Sequence, residues 1–523
     1  MAEQGFKITY ATMSADNEEL HAGFDAAIER VEKEFGQTWP MYIGGEAREA
    51  EETFADVSPI DTDVVLGYFQ KGTRQDSANA VAAARAAWEG WRTTPWQERC
   101  AILNRAADLI SGRRYDLSAL MVYEMGKNRI EALGDVEESA DLIRYYAHQM
   151  EANHGFERAM GQLSPRDRNM DVLRPYGVWA VISPFNFPLA LAAGPAGAAL
   201  VTGNTVVMKP SEDTPWTGLK LYEILVEAGV PAGAVNIVTG PGGTAGAELV
   251  ENDGVDGITF TGSYDVGFNF VYKNFSREHP KPVIVEMGGK NAAIVTANAD
   301  LDKAATGVMR SAFGMGGQKC SACSRVYVDR RVKAEFLDKL IEKTKTLEIG
   351  NPLERDTFLG PVVHDQAYKD YQNYVEQAKR DGKILYGGNV VTDGEFARGY
   401  YVEPMIFEGV PEDHELVKEE LFVPILYVGE VESLDEALDK ANDVVYGLTG
   451  GLYSEDDEEI ERFFDRIEAG VVYVNREAGA TTGAWPGVQP FGGWKASGST
   501  GKGIGGHYTL QCYLREQSRT VVQ

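Results

Sequence analysis

The chain has 523 residues, more than one ordinary domain of roughly 100 to 200 residues holds, so at least two hydrophobic cores with a cleft between them are expected. A composition of 44% hydrophobic and 25% charged residues with 57 Gly excludes the collagenous, disordered and disulfide-scaffold classes. The formal net charge of -29 excludes nucleic acid and anionic membranes as partners; it reads either as an acidic solvated surface or as adaptation to a salty cytoplasm whose counterions screen self-repulsion.

The opening residues lack the basic start and apolar run of a secretory signal, so a cytoplasmic location is expected. From 74 to 150 the pattern is helical, with Ala78, Val81, Ala82 and Ala86 at helical spacing and Leu142, Tyr145 and Tyr146 on one later face. Residues 160–174 read as extended. The stretch 177–208 carries no charge and is long enough to span a bilayer, yet Pro184, Pro188 and Pro195 interrupt it, Asn186 and Asn204 lie within it, and β-branched clusters mark both ends. A buried strand, small-residue helix and strand is the expected arrangement, not a membrane span. Short β-branched runs at 178–182, 205–208, 234–239, 257–261 and 283–286 alternate with helices and predict a doubly wound parallel sheet. A second series at 292–295, 325–328, 424–428 and 471–474, with helical stretches such as 332–348, predicts another α/β domain. The segment 513–522 is extended like 160–174, and the two are expected to pair and help form an oligomer, because a lone chain leaves such edges open.

The strongest local signal for chemistry is Phe313-Gly-Met-Gly-Gly-Gln-Lys-Cys320-Ser-Ala-Cys323-Ser-Arg325. A glycine-rich turn lets backbone amides approach a group bound at the cysteine, a setting suited to a thiolate nucleophile. Only four cysteines occur, Cys100, Cys320, Cys323 and Cys512, which gives no disulfide framework and points to a reducing compartment. Cys320 and Cys323 also spell Cys-x-x-Cys; a redox dithiol or a zinc pair remains open on spacing alone, although zinc needs a second such pair that the chain lacks. No metal is expected.

Four more segments accompany the cysteine: Ile182-Ser-Pro-Phe-Asn186-Phe-Pro188, Met208-Lys209-Pro-Ser-Glu212, Phe260-Thr-Gly262-Ser263 and Val285-Glu286-Met-Gly288-Gly-Lys-Asn291; Glu420-Leu-Phe422-Val-Pro424 follows it. In order and spacing the chain resembles the aldehyde dehydrogenase superfamily over most of its length. That resemblance implies two doubly wound parallel-sheet α/β domains plus a small β oligomerisation flap: 1–159 with 175–287 as an NAD-binding domain, 288–500 as a catalytic domain, and 160–174 with 501–523 as the oligomerisation segment. It implies Cys320 as nucleophile, with the Asn186 amide and the Cys320 N–H stabilising the alkoxide, a donor whose loss costs on the order of 3 to 4 kcal/mol of barrier. Glu286 is implied as the base for the hydrolytic water, which calls for partial burial to raise its pKa; Gly288 and Gly289 are expected to leave room for that side chain and the nicotinamide. NAD is implied as cofactor, with Lys209 and Glu212 on the adenosine ribose, Glu212 repelling a 2′-phosphate, and Ile182, Ser183 and Ser211 nearby. The pyrophosphate is expected at Gly262 and Ser263, where a strand meets a helix N-terminus, and Glu420 and Phe422 at the nicotinamide ribose and ring. Gly240-Pro-Gly242-Gly-Thr-Ala245 formally matches a dinucleotide fingerprint, and Gly240 and Gly242 are expected to line the adenine side.

A finer resemblance is to the branch of that family acting on L-glutamate γ-semialdehyde, the open form of 1-pyrroline-5-carboxylate, in proline breakdown. It rests on Gly126-Lys-Asn-Arg-Ile-Glu-Ala-Leu-Gly134 with Ala140-Asp-Leu-Ile-Arg-Tyr-Tyr-Ala147, on the cysteine segment, and on Thr482-Gly-Ala-Trp-Pro-Gly-Val-Gln-Pro-Phe-Gly-Gly493. It implies Ser321, Gly483 and Ala484 as anchors for the substrate carboxylate, Phe185 and Phe491 around its aliphatic part, and Glu138 near its ammonium. Trp485-Pro486 departs from the small aliphatic pair usual there. Competing readings are another semialdehyde dehydrogenase, such as one for succinic semialdehyde, a cysteine hydrolase, which needs a histidine partner not found near Cys320 in sequence, and a non-catalytic scaffold. A homo-oligomer built from dimers is expected.

Overall fold

The computed structural model describes residues 18–276, 279–477 and 485–523. Two seven-stranded sheets form its frame. The first runs Val283–Glu286, Gly257–Thr261, Val178–Ile182, Thr205–Lys209, Val235–Ile237, Met41–Ile43, Glu46–Arg48. The first five strands are parallel and the N-terminal pair is added antiparallel. Covered on both faces, the central strands are continuous apolar runs, and Thr205–Lys209 is buried throughout. Between two of them lies Ala190–Val201, whose small residues permit close packing: a Cβ on Gly197 would stand 3.0 Å from Ile143. The uncharged stretch is thus strand, helix, strand, and among the described residues no helix is long and apolar enough to cross a membrane.

Chain order reverses between Val178–Ile182 and Gly257–Thr261, which opens a crevice at the carboxyl ends of these strands. The helical region resolves into Arg74–Thr93, Trp96–Gly112, Arg114–Met125 and Arg129–Ala152. Thr73 and Asp76 cap the first reciprocally, and Gly126, at φ 79°, stops the third.

The second sheet runs Lys383–Gly387, Met405–Glu408, Ile425–Val431, Cys323–Asp329, Asn291–Val295, Thr449–Tyr453, Val471–Val474, all parallel except the first. Two of these strands, Met405–Glu408 and Thr449–Tyr453, are parallel members that the sequence reading missed. Gly450 and Gly451 weaken the strand signal of the latter, yet a Cβ on Gly451 would strike the Tyr473 ring at 2.3 Å, so packing demands the glycine that propensity disfavours.

The two extended segments do pair: Asp167–Pro175 and Leu514–Val522 run antiparallel from Leu514 opposite Pro175 to Val522 opposite Asp167. Glu157–Ala159 adds a third strand, so this sheet starts before residue 160.

Candidate active site

The sheet register sets out one side of the site. Glu286 ends its strand opposite Thr261; Phe260 is opposite Ile182, and Ile182 opposite Lys209. The carboxyl edge therefore presents Glu286, Gly262 with Ser263, Ile182 with Ser183, and Lys209 in a row, and three strand spacings of about 4.8 Å separate its ends by roughly 14 Å.

At the Lys209 end lies a cavity of about 530 Å³ lined by Ile182, Lys209, Gly242, Gly246, Val266 and Phe270 among others. A Cβ on Gly242 or Gly243 would meet open space, so the cradle exists because those side chains are missing. Lys209 is buried, its Nζ donates to the Pro210 carbonyl at 3.0 Å, and burial, opposed by Glu212 and Asp213, lowers its pKa to about 8. Glu212 is exposed and accepts from the Gly242 N–H at 3.3 Å, which joins the expected ribose and adenine residues. Ser211 and Ser183 do not reach this cavity: the Ser211 hydroxyl donates to Asp213, and buried Ser183 binds the Lys209 carbonyl through its N–H. Ser263 caps the following turn, its Oγ accepting from the Val266 N–H at 3.4 Å, and the Phe260 ring fills the space beside Gly262.

Cys320 is delivered by the turn between Leu301–Phe313 and the strand Cys323–Asp329. Met315, Gly316 and Gly317 hold successive φ values of 52°, 63° and 67°, and a Cβ on Gly317 would lie 2.5 Å from the Val423 carbonyl. The turn is thereby pressed onto the loop carrying Glu420 and Phe422. Asn291, quoted in a motif but given no role from sequence, holds the other side: its Nδ2 donates to the carbonyls of Cys320 at 2.7 Å and Ala322 at 2.9 Å, while its Oδ1 accepts from the Thr449 N–H. Asn186 is buried and donates one amide hydrogen to the Gln318 carbonyl at 3.1 Å; a primary amide keeps a second for another acceptor.

Cys320, Glu286, Met287 and Phe491 border a cavity of about 40 Å³, room for on the order of one water. One Glu286 carboxyl oxygen there is buried without a hydrogen-bond partner among the described residues, and burial, offset by the Gly493 N–H, raises this carboxyl to about 8. The Cys320 thiol is pushed well above its usual range by burial and by the nearby Glu420 and Glu286, against the pull of the Ser321 and Cys320 amides. Cys323 is buried in its strand with its Sγ on the Arg325 carbonyl, and all four cysteines are free, so the motif forms no disulfide.

The space at Gly288 belongs to Glu420, whose carboxylate would overlap a Cβ there and accepts from the Gly289 N–H at 3.0 Å; at Gly289 it belongs to Asn291 and the Cys320 carbonyl. Glu420 is raised to about 7 by burial, against the Gly289 N–H and Lys290. Phe185 packs edge-on to Phe422 at 5.7 Å and against His364 at 5.9 Å, whereas Phe491 alone of the expected aromatic pair borders the Cys320 cavity. Phe422 holds φ 58°, a strained backbone for an aromatic residue. The Ser321 hydroxyl is buried without a partner among the described residues. Glu138 lies half-buried on Arg129–Ala152; one turn on, Asp141 accepts from Trp485 Nε1 at 2.7 Å, tying the loop that ends in Phe491 to this helix. Gly483 and Ala484 lie outside the described residues.

Sequence reasoning also missed a buried ion pair behind the Asn186 loop. Lys127 Nζ meets Asp135 at 2.9 Å with both side chains fully buried, the ammonium lies 4.6 Å from the Phe187 ring centre, and Asp135 accepts the Ala190 N–H at 2.8 Å.

The family model described as "Aldehyde dehydrogenase family" matches residues 46–519. A protein of Geobacillus sp. (strain WCH70) called 1-pyrroline-5-carboxylate dehydrogenase is 38% identical over 504 residues, 95% of each chain. The crystal structure of 1-pyrroline-5-carboxylate dehydrogenase from Thermus with bound NAD superimposes with a TM-score of 0.93 at 37% identity, covering 98% of each chain. Proline utilization A from Bdellovibrio bacteriovorus gives a TM-score of 0.91 at 36% identity, with 96% of this chain spanning 52% of that one. On the family match, the near-full-length relatives and the shared fold, this chain belongs to the aldehyde dehydrogenase family.

Proposed function

We propose that this chain oxidises L-glutamate γ-semialdehyde, in equilibrium with 1-pyrroline-5-carboxylate, to L-glutamate with NAD as hydride acceptor, the step that completes proline degradation. The observation that carries the reading is that Cys320 and Glu286, from different sheets, border one cavity. Relatives named for 1-pyrroline-5-carboxylate, one of them with bound NAD, support the substrate and the cofactor.

In this reading the Cys320 sulfur adds to the aldehyde carbon as its proton passes to Glu286 or water, and the Asn186 amide with the Cys320 N–H stabilises the alkoxide. Bound NAD accepts hydride from that carbon. Glu286 then takes a proton from a water in the small cavity as its oxygen attacks the thioester, releasing glutamate and the thiol. Lys209, Glu212, Ile182 and Gly242 hold the adenosine half in the larger cavity, where the missing side chains at Gly242 and Gly243 leave the room it needs. Gly262 and Ser263 face the pyrophosphate, Glu420, Phe422 and Gly288 the nicotinamide half. Ser321, whose buried hydroxyl has no partner among the described residues, Gly483 and Ala484 receive the substrate carboxylate, Phe491 borders its methylenes, and Glu138 accepts its ammonium.

The protein works as a homo-oligomer built from dimers through the three-stranded flap, whose Met160, Leu163, Val521 and Val522 are exposed. Its location is the cytoplasm, in keeping with four free cysteines. A panel of aldehydes with NAD and NADP tests the assignment: kcat/KM for 1-pyrroline-5-carboxylate with NAD leads succinic semialdehyde and simple aldehydes by orders of magnitude. A lead for succinic semialdehyde, which keeps a carboxylate but has no ammonium group, refutes the substrate assignment and the Glu138 contact while leaving the Cys320 chemistry intact.

A further inference from the structure

The flap meets the helix Arg74–Thr93 at a pocket of about 370 Å³ that the reaction does not use. Its lining holds Arg92, Arg174, Arg515 and Arg519 with Trp88. Arg174 and Arg515 are direct cross-strand partners, so their side chains leave the same face together, and like charges placed opposite one another destabilise a sheet. Arg519, two alternations along, shares that face.

Neither Arg174, Arg515 nor Arg519 has a carboxylate within ion-pair distance among the described residues. Arg519 donates to Gln517 at 2.9 and 2.7 Å, and Arg515 lies 5.6 Å from the Tyr176 ring centre. Arg92 is bound to Glu89. The acid in the lining, Glu516, belongs to the alternate face of its strand. Trp88 Nε1 is buried with no acceptor among the described residues. In a chain of net charge -29, whose arginines elsewhere are typically matched, as Arg113 is to Glu227 and Arg462 to Asp435, this concentration of unmatched cations around a concavity stands apart.

We propose that this pocket is a binding site for a multivalent oxyanion, a phosphate or paired carboxylates. Its volume suits a small ligand. Guanidinium groups grip such oxygens two at a time. Occupancy removes the repulsion between Arg174 and Arg515 and clamps the flap to the helix.

The test uses the full chain and the variants R174Q, R515Q and R519Q. Inorganic phosphate is titrated at constant ionic strength while the thermal midpoint is followed, and sedimentation is measured over a range of protein concentrations. A free-anion site gives a saturable rise in midpoint for the parent that R174Q and R515Q abolish; without phosphate these two variants are at least as stable as the parent, because a like-charge contact has been removed. If phosphate does not raise the parent's midpoint and the variants only self-associate more weakly, the arginines serve the flap contact proposed above and the anion site is overturned. Identical midpoints and sedimentation in parent and variants, at every phosphate concentration, overturn the proposal.

Discussion

Burial holds both Glu286 and Cys320 in their neutral forms until the reaction begins. A carboxyl raised to about 8 is the base for thioester hydrolysis chiefly above that pH, so kcat is expected to rise about tenfold per pH unit below 8 and to level off above it. E286Q is expected to lose that limb, as read from a pH profile of initial rates; a limb centred near the ordinary carboxylate pKa contradicts this assignment. Linkage carries the opposite sign for stability: the raised Glu286 favours the fold at low pH, and that contribution is lost as pH rises through about 8. Residue identities were legible because the Gly-rich turn and the strand-end glutamate belong to contiguous motifs. Side-chain destinations were not: the space at Gly288 is filled by Glu420, more than a hundred residues away in the chain, and Ser211 is drawn off by its neighbour Asp213.

At the scale of elements, the Asn186 loop is held in place by the helices behind it. Asp135 bridges Lys127 and the Ala190 N–H, so the pair fixes the entry to Ala190–Val201 and, with it, the turn that carries Asn186. Removing one partner of a fully buried pair strands the other charge, and K127M is expected to cost about 3 to 5 kcal/mol in denaturant unfolding. It also lowers kcat by displacing the Asn186 turn. A loss below 1 kcal/mol with unchanged kcat denies the loop this anchor. Elements with β-branched runs, such as Val283–Glu286 and Val471–Val474, were readable from sequence at their true bounds. Thr449–Tyr453 was hidden by the glycines that the Tyr473 ring requires, and Met41–Ile43 by its brevity.

For the whole molecule, a net charge of -29 opposes compaction at low ionic strength, and many carboxylates lie on exposed helix faces. Screening relieves that repulsion, so the thermal midpoint is expected to rise from dilute buffer to molar KCl. A falling midpoint means that exposed ion pairs such as Arg330 with Glu432 outweigh the net charge. Turnover joins two sheets across one cleft, and the step that needs both is most directly examined with E286Q. This variant keeps the nucleophile but lacks the base for hydrolysis, whose contribution is typically 10²–10⁴-fold. Mixed with NAD and 1-pyrroline-5-carboxylate and quenched in acid, it should release close to one NADH per subunit and then slow, leaving a glutamyl thioester detectable by mass on the peptide that holds Cys320. An unmodified Cys320 peptide beside undiminished turnover contradicts the account.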